Sequence, residues 1–138
     1  MEGLYDSDRR IRVLIVDDDE AFAHLLCVLV LRDGRFEVVA QAADGAEAVE
    51  LAVEHGPQIV LMDVVMPVVD GVEATRTILA LRPDTSVIAV SGVDDAEFAL
   101  AARLAGACEY VQKGRVDEDL IDAMVAARPE QLAQRNAH

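Results

Sequence analysis

The sequence predicts an α/β fold, a single-domain doubly wound sandwich of five βα units. Three observations lead there. Short apolar, β-rich runs alternate with longer stretches of helical spacing. The runs are almost continuously apolar, as strands buried on both faces of a parallel sheet must be. Helix-start and helix-stop residues fall between the two kinds of segment. Length agrees, because 138 residues make one ordinary domain and 53% apolar composition supplies a core.

The first strand is predicted over Ile11–Val16, with Phe22, Leu25, Leu26 and Leu29 marking the helix after it. The second strand, Phe36–Ala40, precedes a helix on Ala46, Val49, Leu51 and Val53. The third, Gln58–Met62, leads to a helix on Val72, Ile78, Leu79 and Leu81. The fourth, Ser86–Val90, is followed by Phe98, Ala101, Ala102 and Ala105. The fifth, Cys108–Val111, is followed by Leu120, Ile121, Met124 and Val125. Asp44, Asp70 and Asp94 stand three residues before Glu47, Glu73 and Glu97, the spacing of a capping box. Gly34, Gly56 and Gly106 are placed to end helices, and Pro83 and Pro129 to stop the third and fifth. The domain is expected over residues 11–127, with 1–10 and 128–138 as short polar tails.

Composition excludes several classes of function. Against 12 basic residues stand 26 acids, a net charge of −14. Such a surface repels phosphate backbones and anionic lipid, so neither nucleic acid nor a membrane is an expected partner. It suits divalent cations or basic protein patches. The longest apolar run, Leu25–Leu31, is seven residues, where a bilayer span needs about 20. The opening MEGLYDSDRR has no apolar stretch behind its arginines and does not read as a signal peptide. Cys27 and Cys108, far apart within apolar segments, are expected as buried free thiols in a reducing cytosol. His24, His55 and His138 lack ligand spacing and read as surface residues.

In an open parallel sheet, ligands bind beyond the carboxyl ends of the strands. Asp17-Asp18-Asp19-Glu20 follows the first strand, and Asp63, within LMDVVMPVVDG, follows the third. Ser91-Gly92 follows the fourth and Lys113-Gly114 the fifth. Carboxylate oxygens suit a hard cation such as Mg²⁺; a cation, a hydroxyl and an ammonium together suit a phosphoryl group. Each residue alone has a plainer reading. The acids after the first strand suffice as helix caps, a serine fills turns, and a lysine is ordinarily solvated. Asp63, between apolar neighbours, is expected to be partly buried and to cap nothing nearby. The joint placement carries the argument, sharpened because Lys113 is the only lysine beside eleven arginines. A compact ammonium is not interchangeable with a guanidinium fork. Three carboxylates a few ångströms apart repel by roughly 4 kcal/mol per pair at an effective dielectric of about 20. Without a cation at least one would hold its proton and be a poor nucleophile.

IVDDD, LMDVVMPVVDG, VIAVSG and GACEYVQKG, in that order, make the chain resemble the receiver domains of two-component response regulators (the CheY-like superfamily) from Arg10 to about Ala127. The resemblance implies a flavodoxin-like sheet of order 2-1-3-4-5. It implies that Asp63 takes a phosphoryl group from a sensor histidine kinase or phosphotransfer protein. Asp17, Asp18, Asp63 and the Val65 carbonyl then hold Mg²⁺ (or Mn²⁺), while Ser91 and Lys113 bind the phosphoryl oxygens. Ser91 and Tyr110 act as the switch that remodels the face of helix four, strand five and helix five. Such a protein is a bacterial cytoplasmic signalling receiver rather than an enzyme acting on other substrates. PEQLAQRNAH is too short for a helix-turn-helix reader. Output is therefore expected through a downstream protein target or an output domain outside this chain, by a monomer or a weak phosphorylation-linked dimer. Arg103 and Arg115 are expected on a solvated surface, pairing with Asp119 across a symmetric contact being the alternative. Gly114 replaces the family's usual proline and Ser91 its commoner threonine. Val65 and Val93, flanking the site, cannot orient a water, which predicts slow autodephosphorylation. A phosphohydrolase of the haloacid-dehalogenase type fits less well, since Ala21 stands where it needs threonine or valine. A nucleotide-binding Rossmann fold lacks its glycine-rich turn. A phosphorylation-independent interaction domain would not need every key side chain present.

Overall fold

The computed structural model describes residues 10–66, 70–92, 96–128 and 130. Five strands, β1 (Ile11–Val16), β2 (Phe36–Ala42), β3 (Ile59–Asp63), β4 (Ser86–Ser91) and β5 (Glu109–Gln112), alternate with five helices. These are α1 (Glu20–Leu31), α2 (Gly45–His55), α3 (Gly71–Leu81), α4 (Ala96–Leu104) and α5 (Val116–Ala127). All strand pairings are parallel, in the order β2-β1-β3-β4-β5, as the resemblance implied. Strand order reverses at β1, so the crevice between the carboxyl ends of β1 and β3 is the topological switch point.

Alternation along the strands divides the core in two. Ile11, Val13 and Ile15 of β1 join Ile59, Leu61, Ile88 and Val90 beneath α1 and α5. Leu14 and Val16 join Val60, Met62, Val87 and Ala89 beneath α2, α3 and α4. Successive side chains of a strand point to opposite faces, and here both faces are covered. β2 runs two residues past its predicted end, and the register slips by one residue between Val13 and Leu14, leaving Val39 unpaired.

Local signals act largely as expected. Asp44 accepts from the Glu47 N–H at 2.8 Å, and Glu47 reaches back to the Ala43 N–H at 2.8 Å. Asp70 accepts from the Glu73 N–H at 2.9 Å, but Glu73 turns to Arg76 instead of closing the box. Asp94 and Pro129 lie outside the described residues. Gly56 ends α2 in the left-handed region, φ 55°. Gly34 does not cap α1, whose last turn closes on Arg32.

One expectation about burial fails, that for Cys108, and two helices turn inward residues other than those that mark them in the sequence. On α1 the buried residues are Ala23, Leu26, Cys27 and Val30, and Leu25 faces outward. On α2 they are Gly45, Ala48 and Ala52, while Ala46 and Val53 are exposed. On α2 the smaller residues are inside, so the helix meets the sheet through a glycine and two alanines. Cys108 is exposed, unlike buried Cys27, because it precedes edge strand β5. His24 is exposed and His55 half-buried. Arg115 pairs with Asp119 at 2.8 Å within its own chain, one turn along.

Candidate active site

The four acids after β1 do different work. The Asp17 N–H donates to the Ala42 carbonyl at 3.0 Å, prolonging the sheet by one residue and fixing Asp17 at its edge. Asp17 is 3% exposed, and its Oδ1 accepts from the Asp19 N–H at 2.8 Å. Asp19 is the helix cap, accepting from the N–H groups of Ala21 and Phe22 at 3.0 and 3.2 Å. Asp18 is exposed at the rim, and Glu20 opens α1. The capping explanation therefore holds for Asp19 and not for the other two.

Asp63 is the last residue of β3, only 3% exposed, with its Oδ1 accepting from the Val65 N–H at 3.1 Å. It is more deeply buried than expected, and it organises the turn after it. Gly71 packs against that turn: a Cβ there would lie 2.1 Å from the Asp63 carbonyl oxygen. One carboxylate oxygen each from Asp17, Asp18 and Asp63 lie within 4.8 Å of one another.

Lys113 closes the cluster. It opens a 3₁₀ turn (Lys113–Arg115) after β5, and its Nζ lies 3.2 Å from Asp17 Oδ2 and 3.4 Å from Asp63 Oδ2. Gly114 sits in that turn without positive φ, and a Cβ there would meet no atom within 4 Å. Ser91 ends β4, buried, one residue beyond the Val90 that pairs with Asp63. Tyr110 is half-buried, its hydroxyl donating to the Gly92 carbonyl at 3.4 Å. Val65 is 45% exposed beside the cluster, while Val93 lies outside the described residues. Sequence reasoning missed one neighbour. Phe22, assigned only to the apolar face of α1, lies with its ring centroid 4.8 Å from Lys113 Nζ. The available signal was its place in the first turn of the helix that the acids open.

Burial is the main force on Asp63, pushing its carboxyl up to about 7 with help from the charge of Asp17; the Val65 N–H and Lys113 oppose it. Burial also pulls on the Lys113 ammonium, downward, but Asp63 and Asp17 together outweigh it and leave the group above its ordinary value. Asp17 Oδ2 is buried and has no hydrogen bond, only the ammonium as a nearby point charge. An unsatisfied buried carboxylate oxygen among two other carboxylates is a donor set that fits a hard divalent cation.

The chain is thus a doubly wound α/β domain with an acidic cluster at its switch point, closed by one lysine. The chain belongs to the response regulator receiver domain family, which matches residues 13–125. It is 36% identical over 118 residues to the transcriptional regulatory protein DegU of Brevibacillus brevis, an alignment covering 86% of this chain and 50% of that protein. It is 42% identical over 105 residues to a protein-glutamate methylesterase/protein-glutamine glutaminase of Shewanella frigidimarina, covering 75% of this chain and 26% of that protein. Among solved structures, a two-component response regulator of the LuxR family from Aurantimonas sp. SI85-9A1 superposes with a TM-score of 0.78 and 32% identity, over 94% of this chain and 99% of that one. The chain thus spans half or less of the length of these two curated relatives. Among the described residues, no helix is long and apolar enough to cross a membrane.

Proposed function

We propose that this receiver domain is switched by phosphorylation of Asp63, with a phosphohistidine of a sensor histidine kinase or phosphotransfer protein as donor. The observation that carries this reading is the Lys113 ammonium set 3.2 and 3.4 Å from two buried carboxylates at the sheet's switch point. An Asp63 carboxylate oxygen attacks phosphorus, an O–P bond forms as the P–N bond breaks, and the imidazole leaves with the electron pair and takes a proton from solvent. Asp17, Asp18, Asp63 and the Val65 carbonyl are the residues that would hold Mg²⁺ or Mn²⁺. The ion supplies charge neutralisation to the carboxylates and the phosphoryl oxygens. Lys113 pairs with a phosphoryl oxygen in place of Asp63, and Ser91 donates its hydroxyl to another. Phosphoryl transfer asks little more of a protein than positioning and charge.

The phosphoryl group carries a charge of about −1.5 to −2 where the ionised carboxylate carried −1, and this larger, displaced charge biases a two-state element. Ser91 moves toward it, and the loop after β4 follows. Tyr110, linked to that loop through the Gly92 carbonyl, changes rotamer and alters the face of α4, β5 and α5. That face then binds a downstream protein or an attached output domain. In this reading the chain catalyses only its own phosphorylation and slow dephosphorylation, in a bacterial cytoplasm. The test is incubation with a small phosphodonor and Mg²⁺. Wild type should gain one hydroxylamine-labile phosphate and Asp63→Asn none; labelling of the variant would refute the assignment.

A further inference from the structure

The end of the sheet opposite Asp63 carries a second concentration of charge, of the other sign. Arg12 at the start of β1, Arg82 after α3 and Arg128 after α5 line one cavity of about 550 Å³, within the size range of small-ligand pockets. Arg12 Nη1 donates to the carbonyls of His55 and Gly56 at 2.7 and 2.8 Å. Arg82 Nη2 donates to the Val53 carbonyl. Arg128 donates to the Gln58 carbonyl from Nε at 3.1 Å and from Nη2 at 2.5 Å, and to the Asp84 carbonyl. The three thereby grip the end of α2 and the start of β3, a sufficient structural duty.

That duty leaves donors over. Arg12 keeps Nη2 and Nε, Arg82 all but Nη2, and Arg128 its Nη1. None of the three has a carboxylate within ion-pair distance among the described residues, whereas Arg35, Arg76 and Arg115 each do. Arg32 and Arg103 share that lack, but Arg12, Arg82 and Arg128 converge on one cavity, in a chain of net charge −14. Burial pulls the Arg128 guanidinium below its ordinary value, and the charges of Cys108 and Asp84 offset this only in part. Leu81 and Pro83, both exposed, add apolar wall, and Asp84 is the single acid in the lining.

We propose that this cavity is a binding site for a small organic phosphate, its phosphoryl oxygens on the arginine forks and its apolar body against Leu81 and Pro83. Guanidinium geometry matches phosphate oxygens in pairs, which suits arginine rather than lysine here. The test is calorimetric titration of the metal-free full chain with adenosine diphosphate and, separately, with inorganic pyrophosphate, followed by amide NMR. The expected result is saturable nucleotide binding that shifts the amides of Gly56, Gln58 and Thr85. Arg82→Gln and Arg128→Gln should each weaken it about tenfold, the loss of one charge-assisted contact. Asp84→Asn should tighten it, Asp63→Asn should leave it unchanged, and rising ionic strength should weaken it. Arg82→Gln is the decisive variant, since it forfeits one carbonyl contact and leaves the fold, checked by melting temperature, intact. Shifts centred on Ser91 and Lys113, indifference to Arg82→Gln, or no saturation at millimolar nucleotide would each overturn the proposal. Pyrophosphate binding as tightly as the nucleotide would overturn its organic part.

Discussion

The raised Asp63 pKa makes the metal-free protein's stability depend on pH in a way that one substitution isolates. Buried at the end of β3, the carboxyl has its ordinary value of 3.8 pushed up to about 7. The folded state therefore keeps a proton that the unfolded chain has already released. Between about pH 4 and pH 7 the native state binds more protons than the unfolded one, so stability falls as pH rises through that window and levels off above it. A shift of about 3 units at about 1.36 kcal/mol each sets an upper bound of roughly 4 kcal/mol. Asp63→Asn removes this contribution, because the amide carries no charge and its oxygen still accepts from the Val65 N–H. Urea unfolding followed by circular dichroism, in chelator, should show the two proteins within about 1 kcal/mol at pH 4.5 and the variant ahead by up to roughly 4 kcal/mol at pH 8. Added Mg²⁺ should stabilise wild type much more at pH 8 than at pH 5, since the ion binds the ionised cluster. A stability difference independent of pH, or equal stabilisation by Mg²⁺ at both, would refute the reasoning.

Gly71→Ala drives a Cβ into the backbone of Asp63 and Val64; thermal unfolding should register about 1–3 kcal/mol or more of destabilisation, with phosphorylation slowed beyond that loss. Phe22→Leu removes the ring beneath the Lys113 ammonium, a contact of about 0.5–2 kcal/mol; phosphorylation by a small donor should slow several-fold, and Phe22→Tyr should restore it. Lys113→Arg keeps the charge but not its compact shape; phosphate transfer, read by labelling, should persist, while the Tyr110 rotamer change, read by NMR, should be largely lost.

What the sequence made legible was whatever depends on short range or on the polarity of a parallel sheet. Strand positions, the caps at Asp44 and Asp70, the stop at Pro83 and the gathering of Asp17, Asp63, Ser91 and Lys113 all follow from those rules. The buried faces of α1 and α2 did not. Leu25–Leu31 is apolar at every position, so no phase can be read from it, and on α2 alanines rather than the larger residues meet the sheet. The bulge at Val39 has no local signature, because it arises from pairing between strands. Phe22 beneath Lys113 was hidden for the same reason: a ring and an ammonium that far apart in sequence are brought together only because α1 and α5 pack side by side on one face of the sheet.

The polarity of the fold also explains why the two kinds of cation are segregated. In a stack of βα units every strand ends, and every helix begins, at the same edge. That edge gathers acids that cap helices and acids that serve the switch point, so a cation placed there must sit among several carboxylates. One ammonium can lie 3.2 and 3.4 Å from two of them and still swing to a third anion, which a planar fork locked in paired hydrogen bonds does less readily. The opposite edge gathers helix C-termini and the carbonyls they leave unsatisfied. There a cation must hold several acceptors in fixed directions, and Arg12 does so at the end of α2 with two carbonyls on one nitrogen. The lone lysine and the converging arginines are thus two answers to the same geometry, a movable charge where anions are exchanged and rigid forks where the backbone must be held.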